Sequence, residues 1–194
     1  MVPACKHTVW EGLDCLDPRL SSLSTPLHAA AAADDIHMVC YLISQNAVAV
    51  DAMAFMGCLC LSPHIRMLTE PICHGLRSAY EMPSATPLHA ALAHGASDDT
   101  ILLLLNSGAV WDLPLAQCYG ITALHIMAAN GCTSLLSKMV DLGFKGSDWL
   151  DHQGYCALHY VACFLSTGDN EDTAAALVKA LLYIGATLDR PSSG

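Results

Sequence analysis

The sequence is short of charge. Charged side chains make up only 13% of its 194 residues, against 54% hydrophobic ones, so a packed core rather than a disordered chain is expected. Basic residues are scarcer still: eight lysines and arginines, scattered, in a formal net charge of −10. A nucleic-acid duplex presents about one negative charge per 1.7 Å, so neither it nor an anionic membrane surface suits this chain. Long apolar runs are missing as well. The stretch AMAFMGCLCL (Ala52 to Leu61) falls far short of the roughly 20 residues that span a bilayer, and the opening MVPACKHTVWEGLD has no apolar core of a secretory signal. No phosphate-binding glycine loop, HExxH pair or GxSxG elbow occurs.

Cysteine is the exception, with ten copies. Without an export signal, and with Cys40, Cys132 and Cys163 inside helix-like segments, free thiols in a reducing compartment are expected, hence a cytoplasmic or nuclear protein.

What the sequence does contain is a repeat. STPLHAAAAADD, ATPLHAALAHGA, ITALHIMAANGC and YCALHYVACFLS align on His28, His89, His125 and His159, which lie 61, 36 and 34 residues apart. The last two spacings approach a 33-residue period, and the first holds one period plus about 28 residues. An alanine-rich helical segment follows each histidine, then a second apolar one closed by Asn46, Gly108, Gly143 or Gly185, residue types that tolerate the left-handed backbone after a helix. Thr25 and Thr86 stand where a helix N-cap belongs, with hydroxyls able to accept from free helix N–H groups. Pro26 and Pro87 follow at the first helical position, where a missing donor costs nothing. Thr122 repeats the cap in the third copy. Four near-copies of one His–Thr pair read as architecture, because catalysis needs a single constellation.

This pattern resembles the ankyrin repeat from about Ser21 to Pro191, apart from the insertion. The third copy fits without a gap from Thr122 to Gly143, and the hairpin pattern D-x-x-G-x recurs as DHQGY (Asp151 to Tyr155). The resemblance implies an all-α solenoid of stacked helix-turn-helix units with hairpin or loop connections. It also implies that the motif histidine bonds the threonine and nearby backbone, tying one repeat to the next. Residues 1–20 form an N-terminal capping or irregular segment, 21–52 the first repeat, and 53–80 an insertion or degenerate repeat. Residues 81–115, 116–150 and 151–191 are the second, third and fourth repeats.

The irregularities have plain readings. Cys58, Cys60, His64, Cys73 and His74 crowd the insertion, but they lack the paired C-x2-C and H-x3-H spacing of zinc sites, so no metal is expected. Asp169, Asn170 and Asp172 suit a helix start better than a calcium loop. The last helical segment is apolar on most sides, which suggests a packing partner, self-association or continuation of the array, while Trp10 and Leu13 could cover the other end.

The resemblance implies a non-enzymatic module or adaptor, without cofactor, that binds another protein on a concave surface of hairpin tips and first-helix ends. By register this surface takes in Cys118, Tyr119 and Ile121, then His152, Gln153 and Tyr155. From the helix ends come Ala93 and His94, Ala129 and Asn130, and Cys163 and Phe164. Ser21, Ser22, Ser24, Ala32 and Ala33 make a bland first copy. Trp111 and Trp149 enter two hairpins and are either interface anchors or packing between hairpins. The alternative is the recognition segment of a larger ankyrin-bearing enzyme or signalling protein.

Overall fold

The computed structural model describes residues 25–46, 48–55, 84–115, 120–145, 149–165 and 171–187, with backbone alone at 55, 84, 163–165 and 171. Among these residues are eight helices in four pairs: α1 (Pro26–Ala32) with α2 (Ile36–Ser44), α3 (Pro87–His94) with α4 (Asp98–Asn106), α5 (Ala123–Ala129) with α6 (Thr133–Asp141), and α7 (Ala157–Leu165) with α8 (Glu171–Ile184). The first helices of each pair stack in one layer, α1 on α3, α3 on α5 and α5 on α7. The second helices form the outer layer, with α2 on α4 and α6 on α8.

The inner layer is thin because its contact residues are small. Ala30, Ala31, Ala90, Ala91, Ala128 and Ala129 are buried, and Leu27, Leu88 and Leu124 point into the same core from one position of each repeat. Burying a leucine contributes about 1.5–3 kcal/mol, so this column supplies much of the driving force for stacking. In the first three pairs the turn between the helices is reversed by a left-handed residue: Asp34 at φ 56°, Gly95 at 71° and Gly131 at 70°. Aspartate is among the few non-glycine residues that accept this conformation, and at Asp34 its carboxylate has a further use.

The insertion does not separate the repeats that flank it. Strands β1 (Ala54–Phe55) and β2 (Ser84–Ala85) pair antiparallel, Ala54 with Ala85 and Phe55 with Ser84. The chain therefore leaves at Phe55 and returns at Ser84 beside itself, while α1 packs directly on α3. Residues 56–83, with the Cys58, Cys60, His64, Cys73 and His74 cluster, lie outside the described residues, as do Asp169 and Asn170. Trp10 and Leu13 lie outside them too. Asp172, which is described, is exposed in the first turn of α8.

The fourth repeat rests on a buried aspartate. Asp151 is only 6% exposed, and its Oδ1 accepts the Gln153 and Tyr155 amides, both at 2.8 Å. Its Oδ2 accepts the Tyr160 hydroxyl at 2.7 Å. Three bonds to one carboxylate fix the DHQGY turn and seat the Tyr160 ring edge-on to His125 at 4.9 Å. No helix of the described residues is long and apolar enough to cross a membrane.

Candidate functional site

The motif histidines are positioned by the N-terminal turn of each inner helix. In α1 and α3 a proline after the cap starts the helix, in α5 Ala123 takes its place, and in all three the third helical residue turns its ring back on the cap. His28 Nδ1 meets the Thr25 hydroxyl at 2.7 Å, and its Nε2 meets the Ala85 carbonyl at 2.8 Å. A carbonyl can only accept, so Nε2 carries the proton and Nδ1 receives the hydroxyl. His125 repeats the arrangement. Its Nδ1 lies 2.8 Å from the Thr122 hydroxyl and accepts the Thr122 amide at 3.1 Å, and its Nε2 donates to the Tyr155 carbonyl at 3.2 Å. Both acceptors, Ala85 and Tyr155, directly precede the cap residue of the next repeat. These rings bridge neighbouring repeats with both nitrogens engaged.

The hydroxyls therefore behave differently from the simple cap read in the sequence. Thr25 bonds its own histidine and caps no amide, whereas Thr86 does both, meeting His89 Nδ1 at 2.7 Å and accepting the His89 amide at 3.4 Å. In the fourth repeat Cys156 takes the threonine position. His159 Nδ1 accepts its amide at 3.1 Å and lies 3.1 Å from its sulfur. The thiol is buried and stands in for the hydroxyl.

Burial holds the His28 and His89 imidazoles neutral. Desolvation pushes His89 down to about 3, and it also lowers His28, partly offset by the Ala85 and Ala52 carbonyls. A neutral buried ring is a structural hydrogen-bonding group.

The residues expected at a partner surface divide. His94 and His152 are exposed, and Gln153 and Tyr155 are half-buried on the fourth hairpin, within reach of a partner. Ile121 is not available: it is 1% exposed, bridged to Leu115 through backbone, and belongs to the core. Ala129 is likewise buried, because α5 is covered on every side. Asn130 is committed to the stack, its amide donating to the Leu92 carbonyl at 3.1 Å. Tyr119, Cys118, Ser21, Ser22 and Ser24 lie outside the described residues, and so do the side chains of Cys163 and Phe164.

The two tryptophans differ. Trp111 is half-buried and meets Phe144 edge-on at 6.3 Å, which makes it packing between hairpin bases. Trp149 is 44% exposed, and its indole N–H points to Asp112 Oδ2 at 3.4 Å. Both line a cleft of about 10 Å³, room for one water and too little for a small-molecule ligand. Among the described residues no group of three or more His, Cys, Asp or Glu is placed to hold a metal ion.

Paired helices stacked in two layers, with hairpins projecting from one edge, define a helical-repeat scaffold. The family model for the ankyrin repeat matches residues 23–54, the first of the four units. Residues 23–54 are thus an ankyrin repeat, and the fold of the described residues is the all-helical ankyrin solenoid.

What sequence reasoning missed is the set of cross-repeat carboxylates. Asp34 accepts the Ser97 amide at 3.0 Å, its hydroxyl at 2.8 Å and the Thr100 hydroxyl at 2.6 Å. Asp51 accepts the Val110 amide at 2.9 Å. Asp98 accepts from Lys138 at 3.0 Å and from the Ser134 hydroxyl. Asp34 occupies the position of Gly95 and Gly131, and that substitution was the available signal.

Proposed function

We propose that this protein is a non-catalytic interaction module that binds another protein on the side formed by its hairpins and inner-helix ends. Ankyrin repeats serve in general as protein-binding units. The supporting observation is that His28 and His125 use both ring nitrogens to join repeats, so the most chemistry-bearing motif of the chain is committed to architecture. What is left facing outward is a display surface: His94, His152, Gln153 and Tyr155 on elements held by stacking, so little ordering entropy is lost on binding. The −10 charge favours a neutral or basic partner surface, in a reducing, cytoplasmic or nuclear setting.

The test is affinity capture with mass spectrometry, comparing the wild-type chain with Gln153→Ala and Tyr155→Ala. Both substitutions spare the backbone groups of the Asp151 turn. The expected result is specific partners lost in both, with thermal melting close to wild type in Gln153→Ala and lowered in Tyr155→Ala, whose ring packs against His159 and the core. An identical partner set from both variants would place recognition elsewhere.

A further inference from the structure

The three joints of the array are unequal. At the first, His28 reaches the Ala85 carbonyl, and at the third, His125 reaches the Tyr155 carbonyl. By the same register His89 should reach the Ile121 carbonyl, the residue before Thr122. It does not. His89 Nε2 is buried with no hydrogen-bond partner, and the Ile121 carbonyl accepts from the Leu115 amide at 2.9 Å. A second buried polar atom without a partner, Asn130 Oδ1, lies at the same joint, since the Asn130 amide nitrogen bonds Leu92 of α3. A buried polar group left unbonded opposes the closed state, and opening to water relieves it.

Packing agrees with the polar groups. Helix α3 approaches α5 along far less of its length than it approaches α1, and α5 runs closer to α7. In the outer layer α2 packs on α4 and α6 on α8, whereas α4 and α6 are joined chiefly through half-buried Asp98, with exposed Ser134 and Lys138. Exposed ion pairs contribute little. The middle joint is the weakest in both layers.

We propose that the array consists of two stiff blocks, repeats one and two and repeats three and four, which separate at the unlatched joint between His89 and the third repeat before either block unfolds. In a linear array, stability is a sum of unit and nearest-neighbour terms, so one weak interface decouples the chain there. The spacing of hairpins within a block is then fixed, and the spacing between blocks adjusts to a partner. Separation at this joint does not depend on the proposed binding surface.

Two measurements test it. In native-state hydrogen exchange with increasing urea, amides of α1 and α3 are expected to open on one isotherm and those of α5 and α7 on another; a single merged isotherm would overturn the proposal. The second is the series His28→Asn, His89→Asn and His125→Asn. Asparagine offers an acceptor near the Nδ1 position and nothing at Nε2. His28→Asn and His125→Asn each remove a latch, and His89→Asn should shift the urea midpoint by roughly half as much or less. An equal shift would show that His89 is latched like the others. Should any variant fail to fold, the wild-type isotherms decide.

Discussion

Asp34 and Thr100 stand 66 residues apart in sequence, in adjacent repeats, and the Thr100 hydroxyl donates to the Asp34 carboxylate at 2.6 Å. The same carboxylate receives the amide and hydroxyl of Ser97, the residue that caps α4, so one side chain of the first repeat organises the start of a helix in the second. These donors, Thr100 foremost, hold the Asp34 carboxyl below the usual carboxylate range. Replacing Asp34 with Ala strands a buried Thr100 hydroxyl and puts a Cβ residue without compensating bonds at φ 56°. A loss of about 1–2 kcal/mol is expected by urea denaturation. Asp34→Gly should recover the backbone part alone, and a neutral Asp34→Ala would contradict the role assigned to these bonds.

Acid should destabilise the protein through its histidines. His89 takes up a proton near 6.5 when unfolded but only near 3 when folded, because burial penalises the charged ring. Between those values the unfolded state binds more protons. The contribution is therefore intact above pH 6.5 and is lost as pH falls toward 3. For His89 alone the loss at pH 5.5 is about 1.4 kcal/mol. His28 acts in the same direction. Unfolding free energies at pH 7.5 and 5.5 should differ by about 1.4 kcal/mol less in His89→Asn than in wild type. Equal pH dependence in the two would mean that another group carries it.

The described thiols should differ in reactivity. Cys40 is exposed on α2, Cys156 is buried beside His159, and burial, reinforced by the Asp98 charge, pushes the Cys132 thiol up to about 11. Two units above its ordinary value leave about a hundredfold less thiolate at neutral pH. Peptide-mapped alkylation of the native protein at pH 7.5 should label Cys40 while Cys132 and Cys156 stay protected. Denaturant should remove the difference. Fast native labelling of Cys132 would show that α6 opens at its first turn.

How much of this was readable beforehand follows from where each signal resides. The helix pairs, the proline starts and the left-handed closures at Asn46, Gly108 and Gly143 are local, and the repeat wrote them several times over. Local motifs are legible because the residues that cause them are neighbours. The Ala85 carbonyl that receives His28 lies 57 residues away across the insertion, and no spacing rule points to it. Ile121 shows the limit from the other side. The register puts it on a hairpin, and only the Leu115 bridge and its burial reveal that it faces inward. Asp34 bonds across to the next repeat, which no local spacing shows, although its place in register with Gly95 and Gly131 could have exposed it.

Gly120 and His152 give the last prediction. Gly120 has φ +70°, and a Cβ there would lie 2.9 Å from His152 Cδ2 and 3.1 Å from Nε2. Successive hairpins thus nest by placing an imidazole over a glycine. Gly120→Ala combines two penalties, the left-handed backbone at about 1 kcal/mol and the clash with the ring. The atoms a Cβ would meet are outer ring atoms of exposed His152 and not backbone, so the clash should cost less than the backbone does. In a double-mutant cycle with His152→Ala, the second substitution should recover only the steric part of the Gly120→Ala loss. If His152→Ala recovered the whole of it, backbone strain would contribute nothing. If it recovered none, the two residues would not be in contact in solution, and the nesting of the third and fourth hairpins would have to rest on other groups.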